Sequence, residues 1–198
     1  MEVENHITIG HSSITGDYIY EHGQESLLIL ALLSRHYTIR REFVFNMRYL
    51  YSKLKIPLGS KDRKDRIVEC INRTLSTDIK TNANIDELLV VPYKTEKGYY
   101  LIVTDEEVDK ILGYEKRINK FSLFNTYVVI KRYVNYNSQK SYPSINRIMT
   151  ITNVASNNTT MKYIKILEDL GMIVCTRGDG YIVKDEKIRR SNNEYKII

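Results

Sequence analysis

The chain has 198 residues, 42% hydrophobic and 27% charged, with sixteen Tyr, three Pro and two Cys. That is enough chain for one domain or two small ones with their own cores, and it excludes a disordered, fibrous or disulfide-framed class. The net charge of +6 is uneven: residues 114 to 198 hold 15 Lys/Arg against 7 Asp/Glu, a net +8, while residues 35 to 73 hold 11 against 4 between acidic flanks. Such basic zones suit a polyanion like double-stranded DNA, with plain surface solvation as the alternative.

In chain order, MEVENHITIG is acidic and lacks an apolar signal core, and the longest Leu/Ile/Ala run, Leu27 to Leu33, is far below the roughly 20 residues of a membrane span. A cytoplasmic protein without membrane contact is expected. His6 to Gly10 reads as extended. GQESLLILALLSRHY reads as one buried core helix, from Tyr18 or Gln24 to Arg35. EFVFN is a short strand, and NMRYLYSKLKI places Met47, Leu50 and Leu54 at helical spacing. Past Pro57 and Gly59, Ser60 is the expected cap of a helix with Ile67, Ile71 and Leu75 inside and Lys61, Arg63, Lys64, Arg66 and Arg73 outside. LLVVPYK and GYYLIV flank TEKG as an expected hairpin, with Pro92 marking an edge strand. TDEEVDKILGY is a helix capped by Thr104 with Glu107 in capping-box position and Gly113 as its terminator.

The charge balance shifts near Gly113 to Asn119, which sets the expected organisation: a first domain over 1–113 and a second over 114–198. In FSLFNTYVVIKRYVNY, Leu123, Tyr127, Ile130 and Val134 predict an amphipathic helix. Pro143 and Ser144 start a short helix with Ile145 and Ile148, TNVAS turns, and Ser156 is the expected cap of a second helix with Thr160, Ile164, Leu167 and Leu170 inside. Gly171 ends it. MIVCT and YIVK are then expected to pair around RGDG.

The order helix, helix, turn, helix, hairpin is that of a winged helix-turn-helix. YPSINRIMTITNVASNNTTMKYIKILEDLGMI in particular resembles the bacterial winged-helix pattern of a Pro-Ser start, short helix, polar turn and recognition helix ending in Leu-Gly-hydrophobic-Ile. The first domain is similar in its order of elements, which suggests a duplicated architecture. The expected fold class is therefore α+β, mainly helical, with tandem winged helix-turn-helix domains. Tandem winged helices of this size also resemble replication initiators and regulators of plasmids, phages and integrative elements of Gram-positive bacteria, a likeness of organisation. It implies a DNA-binding transcriptional regulator or mobile-element replication initiator.

On that reading the outward positions of the second helix, Asn157, Asn158, Met161, Lys162 and Lys165, face a major groove together with the Thr159 methyl. Asparagine pairs with adenine, the apolar groups touch thymine methyls, and lysines reach phosphate or guanine. Helix capping is the alternative for the two asparagines. Arg177 at the wing tip and Lys184 would reach the minor groove or backbone, unless Arg177 is only a polar turn residue. Lys61, Arg63, Lys64 and Arg66 form a second candidate surface, unless Asp62 and Asp65 pair with them.

Nothing predicts an enzyme: no phosphate loop, nucleophile elbow or paired-histidine motif is present, and His6, His11, His22 and His36 are scattered. No metal and no cofactor is expected, Cys70 and Cys175 read as buried thiols, and the tyrosines as packing. The acidic flanks of the first domain suit protein contact, hence an expected homodimer; a winged-helix scaffold for protein partners is the competing reading.

Overall fold

The computed structural model describes residues 6–10, 13–93, 100–135, 137–178, 181–184, 187–190 and 192–198. Its first half runs β1 (His6–Gly10), α1 (Gly16–His22), α2 (Ser26–Ser34), β2 (Glu42–Phe45), α3 (Met47–Lys53), α4 (Lys61–Leu75), β3 (Leu89–Pro92), β4 (Tyr100–Thr104) and α5 (Asp105–Gly113). The second half is α6 (Lys120–Arg132), β5 (Lys140–Ser141), α7 (Ile145–Thr152), α8 (Asn157–Asp169), β6 (Ile173–Thr176), β7 (Tyr181–Lys184), β8 (Lys187–Arg190) and β9 (Glu194–Ile197). The described residues thus form an α+β fold of eight α-helices and small antiparallel sheets.

The apolar run forms one helix, α2, as the expected start at Gln24 has it, while the alternative start at Tyr18 falls in a separate helix, α1. Gly23, at φ 96°, parts the two in a conformation that suits glycine, and Thr15 caps α1 by accepting the Tyr18 N–H at 3.1 Å. α2 alone is the core helix, buried from Ser26 to Leu33. The expected capping box of Thr104 with Glu107 is complete, and Asn46, a cap not expected from the sequence, accepts the Tyr49 N–H. Ser60 and Ser156 precede their helices but make no side-chain cap bond. Their carbonyls instead accept the N–H groups of Lys64 and Thr160.

Both expected hairpins are replaced by other pairings. β3 pairs with β2, setting Val91 opposite Phe43, and β4 pairs with β1, setting Leu101 opposite Ile9. The reason is burial: β1 and β2 both flank α2, so each later strand brings its inward residues to the core by joining one of them. TEKG lies outside the described residues, and Pro92 ends a strand of a two-stranded sheet, where both strands are edges. Likewise β6 pairs not with β7 but with β9, in a sheet of order β5-β9-β6, while β7 pairs with β8. β9 has a readable signal, since Tyr195 and Ile197 alternate with Glu194 and Lys196. Tyr195 is fully buried opposite Cys175.

The helix expected to be one-sided, α6, is buried on all sides from Ser122 to Ile130, because α2, α5 and β4 pack on it as well as α7 and α8. One core therefore runs through both halves. Several of its polar groups are answered internally, although Ser26 Oγ, Asn125 Oδ1 and Ser141 Oγ find no hydrogen-bond partner among the described residues. Gln24 is the hub: its side-chain oxygen accepts from Asn119 (3.3 Å) and Ser122 (3.1 Å), its carbonyl accepts from Asn125 (3.0 Å), and its own amide donates to the Asn153 carbonyl at 3.3 Å. The Glu107 carboxylate accepts from Lys131 Nζ at 2.5 and 2.8 Å and from the Tyr127 hydroxyl, tying α5 to α6.

Candidate nucleic-acid interface

α7 is short because its sequence supplies both ends. Ser144 accepts the Arg147 N–H at 3.1 Å, and Asn153 stops the helix at φ 52°, a left-handed conformation that asparagine tolerates. The buried Val154 then anchors the turn. In α8 the expected inward residues Thr160, Ile164 and Leu167 are buried, joined by Tyr163 and Ile166, and Leu170 is half-buried. Gly171, at φ 64°, redirects the chain into β6.

The helix thereby presents one polar face. Asn157, Asn158, Lys162 and Lys165 are exposed, and Thr159 and Met161 are half-buried beside them, Met161 resting against the core. Lys165 meets Asp169 at 3.1 Å, and that hydrogen bond holds its ammonium above the ordinary lysine value while the charge of Arg177 pushes the other way. Arg177, exposed just after β6, is therefore within electrostatic reach of the α8 face. Its neighbour Gly178 donates its N–H to the Asn193 side chain at 3.2 Å, which ties this turn to the approach to β9. Lys184 ends β7; Asp179 and Gly180 of the RGDG turn lie outside the described residues.

The α4 row is arranged differently from the α8 face. Lys61 and Arg63 are exposed and Lys64 is half-buried, but Arg66 pairs with the buried Glu25, and Arg73 pairs with Glu69. The partners are thus Glu25 and Glu69 rather than the adjacent Asp62 and Asp65. α4 packs on α1 and α2, and α8 on α6, α7 and β6, so the two basic surfaces belong to different layers. Arg147, exposed on α7 with its Nε donating to the Tyr133 hydroxyl at 3.1 Å, is a further cation on the α7–α8 segment. Its signal was in the sequence, as the one basic residue of INRIMTIT.

Of the tyrosines, Tyr51 and Tyr127 are fully buried and Tyr49 half-buried, as packing residues; Tyr99 lies outside the described residues. Both cysteines are free thiols, Cys70 buried and Cys175 half-buried. Burial pushes the Cys70 thiol up to about 12 and the Cys175 thiol up to about 11, so both stay protonated near neutrality. No helix among the described residues is long and apolar enough to cross a membrane. Comparison of the chain with protein-family models, with curated proteins and with solved structures finds no match.

Proposed function

We propose that this chain is a double-stranded DNA-binding protein of tandem winged helix-turn-helix type, a transcriptional regulator or replication initiator of a mobile element, with α8 as its reading helix. One observation carries the reading: α8 follows α7 across a tight buried-valine turn and turns Asn157, Asn158, Lys162 and Lys165 to solvent as one face. Exposed asparagines beside lysines suit adenine edges and phosphates, and the net +8 of residues 114 to 198 supplies the long-range attraction. Lys61, Arg63 and Lys64 on α4 would touch flanking backbone. The first half contributes self-association in this reading, through the exposed Leu88 and Val90 at β3.

The test is fluorescence anisotropy on the full chain with random duplex and with duplex enriched by selection, across a salt series. Lys162→Ala should weaken binding to both duplexes alike and lower the salt slope by about one ion. Asn158→Ala should instead cost about 1–3 kcal/mol of discrimination between the two. Absence of duplex binding at low salt would sink the proposal and leave a protein-binding scaffold as the reading. Light scattering on the same samples decides the dimer, which a strictly monomeric chain, free and on DNA, would rule out.

A further inference from the structure

A cleft of about 370 Å³ opens where the start of α6 meets α4 and the end of α3, a volume within the roughly 300–1,000 Å³ of small-molecule sites. Four cations line it: Lys55, Arg63, Arg66 and Lys120. Among the described residues Glu25 is the one carboxylate of the lining, and Arg66 already pairs with it. Three positive charges thus face the cleft with no acidic residue among its described walls to balance them. Asn119 and apolar side chains, Ile56 and Phe121 among them, make up the rest of the described lining.

Lys120 and Arg66 are each held by a partner within the fold, whereas Lys55, fixed through its backbone, and Arg63 have exposed side chains. Lys120 Nζ donates to the Leu112 carbonyl, which fixes the ammonium at the end of α5. Burial, and then the charge of Lys55, hold the Lys120 ammonium below the ordinary lysine value. Lys55 itself stands at φ 53°, pinned by its N–H to the Ser52 carbonyl and by the next N–H to that of Tyr51. Two ammoniums that feel each other's charge, beside the Arg63 guanidinium, are a repulsive arrangement that a bound dianion would relieve, and a guanidinium matches phosphate oxygens with paired donors.

We propose that this cleft binds a small organic phosphate, its dianionic head among Lys55, Arg63 and Lys120 and an apolar or aromatic body against Ile56 and Phe121. The site is separate from the α8 face but shares Arg63 with the α4 surface proposed to touch flanking DNA, so its test is made without DNA. It lies one hydrogen bond from the Gln24 hub, through Asn119 at its wall, and Gln24 reaches the turn between α7 and α8.

The experiment is isothermal titration of the full chain, without DNA, using phenyl phosphate at low ionic strength, with inorganic phosphate titrated in parallel. Saturable one-to-one binding of phenyl phosphate, clearly tighter than inorganic phosphate, is expected. Arg63→Ala, on an exposed helix position, should weaken it about tenfold or more, the size of one lost charged hydrogen bond, and Lys55→Gln should do the same. Lys110→Ala, which removes an equal charge from α5 outside the cleft, should leave it unchanged, and melting curves confirm that each variant folds. Three results would overturn the proposal: no saturable binding at millimolar phenyl phosphate, inorganic phosphate binding equally well, or Arg63→Ala losing no more than Lys110→Ala.

Discussion

Replacing Glu107 by alanine should be among the costliest changes away from the apolar core. Its carboxylate closes the capping box by accepting the Thr104 N–H at 2.8 Å, and it holds Lys131 at 2.5 and 2.8 Å and the Tyr127 hydroxyl. The side chains of Lys131 and Glu107 are only 18% and 15% exposed. Glu107→Ala therefore loses a cap, worth about 1 kcal/mol, and strands an ammonium and a phenol in mostly buried surroundings. Breaking a buried pair costs about 3–5 kcal/mol; residual exposure places this one at or below the low end, and the better helix propensity of alanine returns a few tenths. The net expectation is about 3–4 kcal/mol, a factor of a few hundred in the unfolding equilibrium. Urea unfolding followed by circular dichroism measures it, and a cycle with Lys131→Met isolates the pair. The double variant should cost less than the two single changes together, by about 1–3 kcal/mol, because removing both partners leaves no stranded charge. A loss below about 1 kcal/mol for Glu107→Ala, or strictly additive costs, would show that water screens the pair and refute the reasoning.

Two further expectations rest on single observations. A Cβ at Gly16 would stand 2.9 Å from the Thr150 carbonyl oxygen, a backbone atom of α7, so Gly16→Ala should destabilise by about 1–3 kcal/mol despite alanine's better helix propensity. A raised melting temperature for this variant would mean that α1 slides freely past α7. Stability should also fall on the alkaline side, since burial raises Cys70 and Tyr195 to about 12 and Cys175 to about 11, above the ordinary values of 9.0 and 10.0. Between those limits the unfolded chain has lost protons that the native state keeps, so the contribution is whole below about pH 9 and is lost as pH rises towards 12. Urea midpoints that stay flat from about pH 8 to 11 would contradict this.

Many helices were legible because they carry their own punctuation: Thr104 with Glu107, Ser144, the turn from Thr152 to Ser156 and Gly171 act on neighbours within a few residues. The exposed face of α8 was legible for the same reason, since the inward set from Thr160 to Leu167 leaves Asn157, Asn158, Lys162 and Lys165 no other side. The start of the core helix was harder to fix, because Tyr18 and Ile19 before Gly23 suit a helix as well as the Leu-rich run after it.

Local periodicity determined where most of the helices and the strands β1 to β4, β6 and β7 lie, but not β5, β8 or β9, nor α1 as a helix of its own. It did not determine partners, because a strand's inward alternation is the same whichever neighbour it joins; β3 and β4 meet β2 and β1 only once α2 lies between them as a shared core. Nor did it reveal that α6 is enclosed, since Ser122, Asn125 and Thr126 read as a solvent face until Gln24 and the Ser122 carbonyl supply their hydrogen bonds. The same holds for the cationic cleft: Lys55, Arg63, Arg66 and Lys120 share no motif or spacing, and only the packing of α6 beside α3 and α4 brings them to one wall.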